Sequence, residues 1–146
     1  MSHSYDELLT AFAQHVGLDP AELALTQEIV VDDISIGLQC QDDAVTGDLV
    51  FFAVLGTPDA ALFPRIARVL LEANSFWTGT GGATLGLQRE TGAVTFCGKV
   101  AIADLSGPSL AALLDAFVDT AAYWRAFVQG TSDGGDNNPA DFMIRA

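Results

Sequence analysis

Ile34-Ser35-Ile36-Gly37-Leu38-Gln39-Cys40 is the stretch that decides the fold class. Ile34, Ile36, Leu38 and Cys40 alternate with Ser35, Gly37 and Gln39, the two-residue period of a strand with one covered face. Just before it, Thr26 to Val31 is β-branched and apolar, and Asp32-Asp33 turns the chain. Just after it, Gln41 to Asp48 is a polar loop containing Thr46-Gly47. Leu49-Val50-Phe51-Phe52-Ala53-Val54-Leu55 then runs apolar at every position, as a strand covered on both faces does. Three strands in succession joined by polar turns read as an antiparallel meander.

Helices flank this meander. Ser4 and Glu7 form a capping box, and Tyr5, Leu8, Leu9, Phe12 and Val16 fall on one helical face before Gly17 ends the helix. Asp19-Pro20-Ala21-Glu22 has the form of one further short turn. Beyond the meander, Thr57-Pro58 reads as a cap with proline at the first helical position. The helix it opens has Leu62, Phe63, Ile66, Val69, Leu70 and Ala73 on its apolar face. Thr78-Gly79-Thr80-Gly81-Gly82 breaks it, and Thr84–Gln88, the turn Arg89–Gly92 and Ala93–Cys97 make a hairpin. Lys99 to Leu105 either extends the second hairpin strand or adds a short one. Ser106-Gly107-Pro108 starts a last helix whose apolar period runs to Gly130.

The order α-β-β-β-α-β-β(-β)-α predicts an α+β fold: a mostly antiparallel twisted sheet of five to six strands with three helices. Residues 1–130 read as one domain. Residues 131–146, which begin with a run rich in Gly, Asp and Asn that has no periodicity, read as a flexible polar tail.

Composition narrows the function. The 146 residues carry 6 Lys+Arg against 19 Asp+Glu, a net charge of −13, and the isoelectric point is near 4.1. Such a field repels phosphate backbones and anionic lipid, so no nucleic acid partner and no membrane insertion are expected. The cations Arg65, Arg68, Arg89, Lys99, Arg125 and Arg145 form no basic stripe. Half of the residues are hydrophobic and mean hydropathy is +0.34, which fits either an alanine-rich core or extra apolar surface that meets a partner. The longest strongly apolar run, Leu49 to Leu55, is far too short to span a bilayer. The polar, acidic opening residues lack the basic-then-apolar form of a signal peptide. Cys40 and Cys97 are expected as reduced, buried thiols, so the expected compartment is the cytoplasm.

A catalytic centre is not expected. His3 and His15 have no nucleophile and orienting carboxylate grouped with them. Two His and two separated Cys have no metal-ligand spacing. Asp32-Asp33 and Asp42-Asp43 sit where strands turn, a common use of aspartate. Gly79-Thr80-Gly81-Gly82 follows a helix instead of a strand and no Lys-Ser/Thr comes after it, so it is not a phosphate loop. The chain is therefore read as a non-enzyme that needs no metal, nucleotide or other cofactor.

Leu70-Leu71-Glu72-Ala73-Asn74-Ser75-Phe76-Trp77-Thr78-Gly79-Thr80-Gly81-Gly82-Ala83-Thr84-Leu85-Gly86-Leu87, followed by Glu90-Thr91-Gly92-Ala93-Val94, resembles the type III secretion chaperones of the Tir chaperone (CesT) family. The shared features are the helix end, an Asn followed by aromatic and Gly residues, a short strand and a Gly-bearing turn. The order of elements over residues 4–129 is similar as well. The resemblance implies a bacterial cytoplasmic homodimer that binds the N-terminal segment of a secreted effector in extended form and keeps it competent for export.

Two sets of contact residues are expected on this reading. Leu62, Ile66, Val69, Leu70, Phe76 and Trp77 give the second long helix more apolar material than one sheet-facing side requires, and the resemblance puts dimer contacts here. Tyr5, Leu8, Leu9 and Phe12 on the first helix, with Ile34, Ile36 and Leu38 on the alternating strand, are expected to bind the effector. The negative field favours recruiting a segment that carries cations. The rival readings are a dimeric adaptor or regulator unrelated to secretion and a small-molecule binding domain with a pocket between sheet and helices.

Overall fold

The computed structural model describes residues 4–130. His3 and the tail read at 131–146 lie outside the described residues. In chain order the elements are α1 (Tyr5–Val16), α2 (Pro20–Thr26), β1 (Glu28–Val31), β2 (Ile34–Gln41), β3 (Asp48–Gly56), α3 (Phe63–Asn74), β4 (Thr84–Leu87), β5 (Val94–Ala101) and α4 (Gly107–Gln129). The strands form one five-stranded sheet in the order β1-β2-β3-β5-β4, and the meander β1-β2-β3 and the hairpin β4-β5 are antiparallel. The fold is α+β, as expected.

Three boundaries differ from the sequence reading. The short turn after Gly17 is a seven-residue helix, α2, capped by the Asp19 side chain with Pro20 at its start. It ends at Gln27 in a left-handed conformation, so β1 begins only at Glu28. Helix α3 starts at Phe63, not at Pro58, because Asp59 takes residues 59–62 into a turn: its Oδ1 accepts from Ala61 N and its carbonyl from Leu62 N. Lys99 to Leu105 divides, extending β5 to Ala101 and then forming a 3-10 turn at Ile102–Asp104.

The chain forms two compact units, Met1–Phe52 with Gly98–Val118, and Ala53–Cys97 with Asp119–Ala146. In the first unit, the capping box at Ser4 and Glu7 is present and Gly17 closes α1 at φ 83°. Tyr5 N donates to Ala44 O (2.7 Å). Asp43 shapes the loop that supplies this carbonyl, accepting from Val45 N (2.7 Å) and Thr46 N (3.0 Å). Those two main-chain donors hold its carboxyl below the usual carboxylate range. Phe51 meets Phe117 edge-on at 4.9 Å between ring centres and covers Gly98, where a Cβ would stand 2.4 Å from the Phe51 ring.

In the second unit, α3 turns Ile66, Leu70 and Ala73 inward. Asn74 joins its end to β4 through hydrogen bonds to both main-chain groups of Leu85. The fully buried Trp124 donates from Nε1 to Gly79 O (2.8 Å), anchoring the glycine-rich loop. In the β4–β5 turn, Gly92 takes φ 73° while Gln88 N donates to Ala93 O. Gln129 Nε2 donates to Leu55 O (3.1 Å).

Strand β3 corrects one expectation. Leu49, Phe51, Ala53 and Leu55 are buried, but Val50 and Phe52 are half-buried and Val54 is exposed. An unbroken apolar run carries no period, so sequence alone could not say that one of its faces stays open.

Candidate functional site

The seven residues expected to bind an effector are core residues here. Tyr5, Leu8, Leu9, Phe12, Ile34, Ile36 and Leu38 are each no more than 7% exposed. The reason lies in the pattern that drew attention to them: a clean apolar period marks the row that an element turns inward. The exposed apolar residues of this region are instead Val16, Leu18, Leu25 and Val30.

Of these, Val16, Leu18 and Val30 line a groove of about 340 Å³. Val16 and Leu18 stand at one side, Leu23 of α2 and Ile29 of β1 supply buried apolar floor, and Val30 and Val31 extend it along the strand. The remaining lining is Thr26 and the acids Asp19, Glu22 and Glu28, with no cation. Local sequence creates this opening. Gly17 stops α1, the Asp19-Pro20 cap starts α2 at once, and Gln27 in the left-handed region redirects the chain into β1.

β1 is an end strand of the sheet. Leu38 N donates to Gln27 O (2.8 Å), which sets the hydrogen-bonding phase of the β1–β2 ladder. Alternate residues in an antiparallel pair point their main-chain groups toward and away from the partner. With Gln27, Ile29 and Val31 facing β2, the N–H and C=O of Glu28 and Val30 point to the outer edge. At Glu28 these outward groups meet the Thr26 hydroxyl, which donates to Glu28 O and accepts from Glu28 N, each at 3.4 Å.

The six residues expected at a dimer contact divide. Ile66 and Leu70 are buried in their own unit and Val69 is half-buried, while Leu62, Phe76 and Trp77 are exposed. Phe76 is 87% and Trp77 58% exposed, and both occupy the left-handed region, at φ 54° and 56°. Two consecutive aromatic residues there are strained by roughly 1–2 kcal/mol each, and both side chains stand in solvent. Leu71, exposed at 70%, was not singled out from sequence. It lies with Pro64, Ala67, Arg68, Glu72 and Ser75 along a shallow groove on α3.

The titratable groups form no reactive set among the described residues. No group of three or more His, Cys, Asp or Glu is placed to hold a metal ion. Partial burial and the charges of Asp43, Asp42 and Asp6 push the Cys40 thiol up, which lowers the share of reactive thiolate. Asp32, Asp33 and Asp42 occupy left-handed turn positions, the structural use their placement suggested. No helix among the described residues is long and apolar enough to cross a membrane.

Solved structures share this fold. The ExsC–ExsE complex matches with a TM-score of 0.63 at 20% identity, over 85% of this chain and 92% of that one. The Yersinia pestis type III secretion chaperone SycH, in complex with a stable fragment of YscM2, matches with 0.59 at 24% identity, over 82% and 98%. The HopA1–SchA chaperone–effector complex matches with 0.60 at 17% identity, over 86% and 93%. No curated protein matches the chain by sequence. The sequence pattern of one family covers residues 7–125, the span that holds the groove, the open strand and the outward aromatic pair. The chain belongs to the Tir chaperone protein (CesT) family.

Proposed function

We propose that this protein is a cytoplasmic type III secretion chaperone that acts as a homodimer, without bond-making chemistry. It holds the N-terminal segment of a secreted effector in extended form and keeps it competent for export. Family membership supports the reading, as do solved relatives that include a type III secretion chaperone with a bound fragment and a chaperone–effector complex.

The observation that carries it is the outer edge of β1, which no strand among the described residues pairs, beside the apolar groove. An incoming strand replaces the long Thr26 hydroxyl contacts at Glu28. An extended segment gains main-chain hydrogen bonds from a free strand edge and places alternate side chains in adjoining pockets. Glu28 and Val30 supply the edge, and Val16, Leu18 and Ile29 supply apolar wall. The exposed Leu62, Leu71, Phe76 and Trp77 serve as the self-association surface, and a dimer raises affinity by offering two sites to one client.

The test uses a client captured from the native host and identified by mass spectrometry. A fragment of roughly 50–100 N-terminal residues binds by strand addition on this reading. It should protect the Glu28 and Val30 amides from hydrogen exchange, and Leu18→Asp should weaken it without changing the melting temperature. Equal affinity for the client lacking that segment would overturn the proposal.

A further inference from the structure

The net charge of −13 is not spread evenly along the chain. The first unit holds twelve Asp and Glu against one cation, Lys99, a net of −11. The described residues of the second unit hold four acids (Asp59, Glu72, Glu90, Asp119) and four arginines (Arg65, Arg68, Arg89, Arg125), a net of zero. Lys99 itself lies 3.6 Å from Asp48. The groove and the open strand belong wholly to the acidic unit.

Position within β1 sharpens this. Successive side chains of a strand point to opposite faces. Ile29 lies on the buried face, while Glu28 and Val30 lie on the exposed one. A strand added at the β1 edge continues the same alternation: one row of its side chains lies beside Ile29, the other beside Glu28. Cross-strand neighbours of opposite charge are favourable and like charges are not. The Glu28 carboxylate accepts from the Ser35 hydroxyl and, with several lone pairs, can accept further donors. Glu22 of α2 adds a second carboxylate to the same groove.

We infer that the segment seated on β1 alternates aliphatic with basic residues, the aliphatic row beside Ile29 and the Lys or Arg row beside Glu28. This rests on the strand-addition reading above and names what that site selects. The acidic unit also raises the encounter rate with such a segment, an effect that salt weakens.

Three short synthetic peptides test it, with the same alternating valine and leucine positions and with lysine, serine or glutamate between them. The lysine peptide should bind about tenfold more tightly than the serine peptide at low ionic strength, the scale of one or two close charge pairs at the surface. The glutamate peptide should be weakest, and the spread should narrow as salt is added. Glu28→Gln keeps an acceptor for Ser35 and should erase most of the lysine advantage. Glu90→Gln makes the same charge change in the second unit and should leave the advantage in place. Equal binding of all three peptides, with Glu28 and Val30 amides protected, overturns the charge rule and leaves strand addition standing. If none of the three protects those amides, strand addition at β1 falls, and this inference with it.

Discussion

Asn74 holds both main-chain groups of Leu85: its Nδ2 donates to Leu85 O at 2.8 Å, and Leu85 N donates to its Oδ1 at 2.9 Å. A side-chain amide is thus acting as the neighbour strand for one residue of β4. Asn74→Ala removes both bonds and leaves the two main-chain groups of Leu85 without them, at an expected cost of about 2–3 kcal/mol. Asn74→Asp should be nearly as damaging, because a carboxylate has no donor for the Leu85 carbonyl. Urea unfolding measures both, and a loss below about 0.5 kcal/mol for Asn74→Ala would mean the pairing stabilises little.

Gly98 has no room for a methyl group. The Phe51 ring lies 2.4 Å from where its Cβ would stand, and Phe51 is in turn packed edge-on against Phe117. Gly98→Ala should destabilise by about 1–3 kcal/mol through overpacking. Adding Phe51→Leu should recover part of that loss. Additive losses in the double variant would show that the ring is not the obstacle.

Alkaline stability should depend on Tyr5. Its hydroxyl donates to Gln27 Oε1 at 2.7 Å. Burial chiefly, with the nearby Cys40 and Asp6, pushes its pKa from the ordinary 10.0 up to about 12. The folded form keeps a proton that the unfolded chain loses, so this contribution is complete below about pH 10 and disappears as pH rises toward about 12. Tyr5→Phe should cost about 1 kcal/mol at neutral pH and show a shallower loss of stability across that alkaline window. An unchanged alkaline slope would remove Tyr5 from the explanation.

Cys40 should be slow to alkylate in the folded protein. Its pKa is raised by partial burial and by Asp43, Asp42 and Asp6, which depletes the reactive thiolate. Peptide mapping after iodoacetamide treatment should show Cys40 labelled much faster in urea than in buffer. Equal rates would show that the folded environment gives no protection.

The subunit mass is 15.3 kDa, and sedimentation equilibrium at micromolar concentration should give twice that. Leu71→Asp and Trp77→Asp replace exposed side chains, so each should shift the protein toward monomer with little change in melting temperature. A wild-type monomer, or variants that remain dimeric, would place self-association elsewhere or nowhere.

Much of the scaffold was legible because its signals are local. The Ser4–Glu7 box, the Gly17 stop, the Ile34–Cys40 alternation and the Gln88–Ala93 turn each state their structure within a few residues. Helix α3 was misplaced at its start because Thr57-Pro58 has a good helix-opening form, yet Asp59 uses its carboxylate and carbonyl to close a turn first. The candidate site was read less well. Periodicity picks out Leu8, Leu9, Ile36 and Leu38, which are inward, whereas Leu18, Leu25, Val30 and Leu71 break the pattern and are outward. An apolar residue on the polar side of its own element is the signal that would have found them.

An unpaired strand edge beside apolar side chains is also a place where copies of the same chain can add to one another without limit. Two β1 strands meeting edge to edge would bring their Glu28 side chains and two strongly negative units together, and that repulsion disfavours such pairing at neutral pH. Acid removes the safeguard. As pH approaches the sequence isoelectric point near 4.1, the net charge falls toward zero and the repulsion between copies falls with it, so acidic storage should lead to fibrous or amorphous aggregation that begins at β1. On this reading, the carboxylates that favour a basic client also oppose edge-to-edge pairing of the chain with itself.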